Sequence, residues 1–344
     1  MFFVISGYCM MAAADGTQRR HEPVSFFIRR RIRRIYPPFL YSILVAVTAP
    51  FVIEMVSALK TGTFAPPELR YAHYSVADWV QLATLTRGLV QQDQTQAGAF
   101  TAVNAVYWTL AIELQFYMVL AAALACGRHF RRVIAAVTAV SLAFMMHTRG
   151  FSFGIFLPWW PIFALGVGLY AIQQRGWTPR ERFGTRAPSI IAGAVAALGI
   201  VMALELRRIH TAEDSQVFSL CFAAILWLTS GLERPLASPA ARWWVRPTML
   251  LGVMSYSVYL VHNRLLYLST QVIGQLITED SLLFNAAVVG VTLAGCYAFH
   301  LVCEKPFCKP TPASRQTGYR TVGERSTSGL AADALIVERF ASPL

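Results

Sequence analysis

Residues 106–126 read VYWTLAIELQFYMVLAAALAC, an unbroken apolar run of 21 residues with one charged member, Glu113. At about 1.5 Å per residue, a helix of that length covers the hydrocarbon thickness of a bilayer, roughly 30 Å. Within lipid the segment must be helical, because no lipid tail can satisfy an open backbone group. Glu113 falls some seven residues, about 10 Å, into the run. A carboxylate buried there costs several kcal/mol unless it is paired or protonated. The stretch therefore predicts a membrane-spanning helix with a carboxylate retained inside it, as an interhelical contact or as part of a reaction centre.

Working outward, eight further apolar stretches share this character: 1–14, 37–58, 133–148, 154–173, 189–206, 216–231, 249–273 and 282–303. The fold class expected is an all-α polytopic membrane protein with nine spans. Composition agrees. Of 344 residues 56% are hydrophobic and 14% charged, whereas a soluble surface needs about a quarter of the chain charged. An ordinary cytosolic enzyme and a disordered chain are both excluded. The net charge of +12 could suggest nucleic acid, but the basic residues sit in short gaps between apolar runs and carry no nucleic-acid fingerprint. With residues 15–36 placed in the cytoplasm, alternate gaps hold 23 Lys and Arg on that side against 6 on the other, Arg264 lying within a span. That asymmetry orients the chain with its C-terminus cytoplasmic. The six cysteines form no CxxC pair and read as packing residues.

The spans and their short gaps make one transmembrane domain, 1–307. The tail 308–344, rich in Pro, Thr, Ser and Gly, reads as disordered. The long gap 59–105 contains Pro66, Pro67 and a moderately apolar stretch, Val76–Val90. That stretch reads as a re-entrant or interfacial helix, or as a loop helix on the membrane surface. The opening MFFVISGYCM reads like the interior of a helix, so a longer first segment and a further span would give ten helices with both ends cytoplasmic.

Two more polar features stand out. Between Phe26 and Pro38 five arginines, Arg29, Arg30, Arg31, Arg33 and Arg34, occupy six positions. On a helix Arg30 and Arg34 stack at i,i+4 and Arg31 and Arg34 at i,i+3. Guanidinium groups so placed fork onto phosphate oxygens, of an acidic lipid anchor or of an anionic cofactor. Pro37 then fits the first turn of the next span. Within Ser255-Tyr256-Ser257-Val258-Tyr259-Leu260-Val261-His262-Asn263-Arg264, hydroxyls, an imidazole and a guanidinium crowd into a long apolar run. His262 can pass a proton or orient a hydroxyl, or simply pack with its hydrogen bonds made. Arg264 can pair with a carboxylate. Glu54 and Glu205 lie near span ends, His300 and Glu304 suit a helix-end pair, and Gly150, Gly154, Gly166 and Gly168 suit close helix packing.

At these positions the sequence resembles the acyltransferase 3 family of membrane O-acyltransferases, which modify bacterial surface and exported carbohydrates. Phe2-Phe3-Val4-Ile5-Ser6-Gly7 resembles the family's FFVxSG segment, and Arg30-Arg31-Ile32-Arg33-Arg34-Ile35-Tyr36-Pro37 its basic stretch. Trp108-Thr109-Leu110-Ala111-Ile112-Glu113, with Gln115-Phe116-Tyr117, resembles WSLxxExQFY. Ser255 to His262 is similar to SYxxYLxH, and Glu304-Lys305-Pro306 to the closing ExP. The five occur in order over most of residues 1–307. Leu114 departs from the pattern, where a second acidic residue is frequent.

The resemblance implies a ten-helix core in the bacterial inner membrane. It implies an acyl-CoA, most simply acetyl-CoA, as donor substrate and a carbohydrate or lipid-linked glycan as acceptor, with membrane lipid around the bundle. Arg30, Arg31 and Arg34 would hold the anionic donor and Glu113 would lie near the reaction path. His262 and Tyr259 would support the acceptor side or brace the cavity, and no metal is expected. The resemblance also places the basic histidine upstream of Phe2, so the expectation is an N-terminally extended enzyme. An inactive truncated member, a noncatalytic membrane scaffold, and a proton-coupled transporter or flippase of a glycan intermediate stand as alternatives.

Overall fold

The computed structural model describes residues 1–90, 98–147, 154–177, 179, 187–205, 214–230, 242–278 and 281–308. Beyond residue 308 the expected tail lies outside the described residues. The main helices are α1 (Phe2–Arg19), α2 (Val24–Thr61), α3 (Val76–Ala83), α4 (Arg87–Val90), α5 (Gly98–Thr101), α6 (Tyr107–Ala125) and α7 (Phe130–His147). They continue as α8 (Trp160–Gln174), α9 (Ala187–Glu205), α10 (Asp214–Thr229), α11 (Arg242–Val253), α12 (Ser255–Gly274) and α13 (Leu282–Phe299). A π-helical turn, His300–Glu304, then leads into α14 (Lys305–Cys308). No strand occurs among the described residues.

Every apolar stretch singled out above carries helix. Four segments, Val24–Leu59, Tyr107–Ala125, Gly127–Met146 and Leu282–Phe307, are long and apolar enough to cross a membrane. Their outward faces are studded with exposed Leu, Val, Ile and Met, among them Leu44, Met55, Met118, Val140 and Val302. This is the surface expected of helices solvated by lipid.

Two helix boundaries differ from expectation. The stretch 249–273 is divided at Met254 between α11 and α12. More consequentially, the arginine run and the span after it are one 38-residue helix, with Pro37, Pro38 and Pro50 inside it. Pro37 therefore does not open a new helix. Proline's fixed φ is compatible with α-helix, but its missing N–H removes the ladder partners of the Arg33, Arg34 and Ala46 carbonyls. Membrane helices tolerate such gaps where neighbouring helices supply new donors. The helix ends at Gly62, left-handed at φ 72°, whose N–H caps the Ala58 carbonyl.

α1 and α8 meet backbone to backbone. A Cβ on Gly7 would lie 2.1 Å from the Phe163 carbonyl oxygen, and one on Gly166 would lie 2.0 Å from that of Val4. Only glycine permits this approach, the small-residue packing used between membrane helices. Tyr8 donates to Gln173 at 2.7 Å and Tyr170 to Asp15 at 2.7 Å, sealing the same seam.

The gap between α2 and α6 folds back along α2. Tyr71 donates to the Val47 carbonyl at 2.8 Å, whereas Tyr36 donates to the Thr84 carbonyl at 3.4 Å. Those α2 positions are about 16 Å apart along the helix axis, so the segment descends alongside it. Val76–Val90 forms two short helices, α3 and α4, joined through Leu85 with φ 60°. Leu82, Leu85, Phe100 and Val103 enter the same buried cluster as α6.

Candidate functional site

Glu113 sits at 6% exposure on α6, a helix that packs against α1, α2 and α7. Its Oε1 accepts from Ser6 on α1 at 2.6 Å and from Tyr117, one turn along α6, at 2.7 Å. Among the described residues no donor bonds to Oε2. The charges of Arg31 and Arg34 act on this carboxylate from α2. Hydrogen bonds to a charged group and nearby opposite charge are what make a buried carboxylate bearable.

Each residue of the flanking motifs can be read in these terms. In Phe2–Gly7, Ser6 supplies the hydroxyl, and Gly7 lets α1 lie tightly against α8. Phe3 packs edge-on to Trp108 and Phe116, with centroids 6.0 and 5.3 Å away. In the α6 motif, Trp108 contacts Trp159 at 4.8 Å and Phe116 lies 4.3 Å from Phe163. Gln115 donates to the Gly154 carbonyl at 2.8 Å and accepts from the Phe156 N–H at 3.0 Å. It thereby pins the chain entering α8. Gly154, at φ 62°, has no room for a side chain, since a Cβ would stand 2.2 Å from the Gly88 carbonyl oxygen.

The arginine run divides. Arg31 is half-buried with its guanidinium 5.9 Å from the Phe27 ring, and its Nε is buried with no hydrogen-bond partner among the described residues. Arg34 is exposed, but its charge reaches Glu113 and Cys9. Arg30 turns instead to the α1–α2 connection. It holds both oxygens of Glu22 at 2.8 and 3.0 Å and lies over Phe26. Arg31 and Arg34 are thus within electrostatic reach of Glu113 without bonding to it, while Arg30 has a carboxylate of its own.

On α12, Tyr259 donates to the Val106 carbonyl at 2.8 Å, bonds to Thr109, and stacks on Phe2 with centroids 4.9 Å apart. It braces α12 against the start of α6. His262 places Nδ1 2.9 Å from the Val258 carbonyl and 3.1 Å from that of Tyr259. Because a carbonyl only accepts, Nδ1 carries the proton and the lone pair is on Nε2. Arg264 donates from Nε and Nη2 to the Val103 carbonyl, a backbone oxygen rather than a carboxylate.

Sequence reasoning did not find Ser6 as the partner of Glu113. It also missed a second polar centre, where buried Glu304 accepts from Ser257, with His300 Nδ1 2.8 Å from the same oxygen. The i,i+4 spacing had marked the His300–Glu304 half. A third pair lies in the segment along α2, where Arg87, 4% exposed, reaches Asp78 at 2.5 Å and stacks over Tyr74 at 4.1 Å. The signal was Ser75-Val76-Ala77-Asp78, a capping box at the start of α3. Hydrogen bonds from Ser75 and then Arg87 hold the Asp78 carboxyl well below the usual carboxylate range. Cys9, Cys126, Cys221, Cys296 and Cys303 are free thiols; Cys9 and Cys126 are exposed, and the other three are buried.

Comparison with known proteins bears on this arrangement. Residues 1–301 match the family model described as an acyltransferase domain. Over 321 residues the chain is 26% identical to the exopolysaccharide production protein ExoZ of Rhizobium meliloti (strain 1021), covering 92% of this chain and 90% of ExoZ. It is 28% identical over 270 residues to BcsY of Komagataeibacter xylinus, named provisionally as a membrane-bound transacylase; that match covers 76% of this chain but only 64% of BcsY. Nodulation protein 10 of Rhizobium leguminosarum bv. viciae is 29% identical over 147 residues, 41% of this chain and 36% of that protein. No solved structure matches.

Proposed function

Because the chain belongs to the acyltransferase 3 family, whose acyltransferase domain spans its residues 1–301, we propose that it transfers an acyl group, most simply acetyl, from acyl-CoA to a carbohydrate hydroxyl. The acceptor would be a surface or exported glycan, free or lipid-linked. The name of ExoZ, which ties that relative to exopolysaccharide production, supports a carbohydrate acceptor. The name of BcsY supports transacylation at a membrane. The proposed setting is the inner membrane, with the arginine run on its cytoplasmic side, where acyl-CoA is found.

The observation that carries the proposal is the buried Ser6–Glu113–Tyr117 cluster, with the charges of Arg31 and Arg34 on α2 within electrostatic reach of it. Acyl transfer from a thioester forms a C–O bond to the acceptor and breaks the C–S bond. The acceptor's proton ends on the CoA sulfur. The protein must position both substrates, route that proton and stabilise the developing oxyanion. Arg31 and Arg34 hold the donor's phosphates, and the unpartnered Nε of Arg31 is a donor waiting for such an oxygen. Glu113 has its Oε1 saturated, so Oε2 remains to orient the O–H or N–H group through which the proton passes. Nε2 of His262 offers an acceptor on α12, and Tyr259 holds that helix in register with α6.

The test follows labelled acetyl-CoA in membranes containing the protein, reading ester formed on glycan and CoA released. Glu113→Gln should abolish transfer while leaving donor binding intact. Arg31→Gln should raise the KM for acyl-CoA. Full activity in Glu113→Gln, or an unchanged KM in Arg31→Gln, overturns these assignments.

A further inference from the structure

The second polar centre takes no part in the chemistry above, yet its geometry leads back to the arginine helix. Glu304, 1% exposed, lies in the π-helical turn after α13, and that turn and α14 both pack on α2. Glu304 accepts from Ser257, itself wholly buried on α12, with His300 on the same oxygen. The residue before Ser257 is Tyr256, whose hydroxyl donates to the Ile35 carbonyl of α2 at 2.9 Å. Ile35 stands between Arg34 and the Pro37–Pro38 pair, where α2 has lost two ladder bonds and is free to bend.

We infer that Glu304, through Ser257 and Tyr256, is a positioning residue that fixes the direction in which α2 presents Arg31 and Arg34. The inference rests on the proposed role of those arginines in holding the donor. A helix with paired prolines can swing about them. A hydroxyl seated on the carbonyl at that point, on a helix anchored by a buried carboxylate, removes the freedom. The contact is made before substrate arrives, so its loss should weaken donor binding without touching the group that handles the proton.

The experiment measures kcat and the KM for acetyl-CoA in purified protein, with folded fraction checked by size exclusion in detergent. Tyr256→Phe loses only the hydroxyl. It should raise KM about threefold to tenfold, as one hydrogen bond is worth, with kcat within about twofold. Ser257→Ala should give the same split. Glu304→Ala, which takes the acceptor from Ser257, should give the same split, whereas Glu304→Gln, which keeps an oxygen that Ser257 can donate to, should stay near wild type; an unchanged KM in Glu304→Ala overturns the role of Glu304. Combining Tyr256→Phe with Ser257→Ala should add nothing further, because the two act in series. If Arg31→Gln raises KM but Tyr256→Phe does not, the positioning role is wrong and the donor site stands. If neither moves KM, the donor site itself is wrong. Equal losses in kcat from Tyr256→Phe would overturn the inference in favour of a direct catalytic contact.

Discussion

Gly166→Ala is the most exacting test of how the bundle presents Glu113. The added Cβ would stand 2.0 Å from the Val4 carbonyl oxygen and 2.7 Å from the Tyr8 nitrogen, both backbone atoms of α1. Ordinary contact begins near 3.4 Å, so α1 must retreat from α8 by up to 1.4 Å. No rotamer change relieves a clash with backbone. Ser6 rides on α1 between those two residues, 2.6 Å from Glu113. A shift of that size stretches its bond past useful length. Overpacking costs about 1–3 kcal/mol, and a hydrogen bond to a charged group is worth about 1.5–3 kcal/mol. If the second falls on the reaction barrier, turnover drops about tenfold to a hundredfold. Gly168→Ala is the control, because nothing lies within 4 Å of its Cβ position; it should leave activity unchanged and melting temperature the same or slightly higher. Acyl transfer in membranes and thermal unfolding in detergent read the two effects. Undiminished activity in Gly166→Ala, or an equal fall in Gly168→Ala, would refute the close-packing account.

Other consequences are open to measurement. Ser6→Ala and Tyr117→Phe each remove one hydroxyl from Glu113 Oε1, so each should slow transfer by about tenfold; the double variant should fall short of the product, and strict multiplicativity would show that the two act separately. The exposed thiol of Cys9 feels the charges of Arg31, Arg34 and Glu113. Acetyl-CoA should therefore slow its labelling by maleimide, measured by peptide mass, without slowing that of Cys126; equal rates with and without donor would place the donor elsewhere. The depressed carboxyl of Asp78 stabilises the segment along α2 in full at every pH above the ordinary aspartate range and loses that contribution progressively as pH falls from there to its lower folded value. Protection against hydrogen exchange across residues 71–90, taken relative to the intrinsic rate at each pH, should thus be high at neutral pH and fall below about pH 4, while Asp78→Asn should be weakly protected throughout; a wild-type chain with no such acid dependence would count against the pair.

The helices were legible because the length of an apolar run is a local property, and Glu113 because a lone charge within such a run has a cost that sequence displays. Tyr117 was visible as its neighbour one turn away. Ser6 was not, since it lies 107 residues from Glu113 and a serine in an apolar run costs little enough to need no explanation. Arg30 looked like a member of the arginine cluster, but its helical direction points it at Glu22, and spacing alone does not reveal where a hairpin places an acid. Pro37 was misread for a physical reason. Proline's fixed φ suits a helix interior as well as a first turn, and within a membrane bundle the broken ladder need not end the helix. Arg264 was expected to seek a carboxylate, and the Val103 carbonyl serves because the turn before α6 leaves it free to accept.

The paired prolines of α2 also bear on how five cations can share six positions. With no N–H at 37 and 38, the carbonyls of Arg33 and Arg34 lose their i+4 donors, as the last carbonyls of a helix do, although the helix itself runs on. A local negative pole, of the kind that marks a helix C-terminus, thus falls in mid-helix at the residues that carry the cations. Each cation near such a pole gains about 0.3–1 kcal/mol, which offsets part of their mutual repulsion. Alanines at 37 and 38 would close the ladder, erase that pole, and leave the same five charges harder to hold together before any anion arrives.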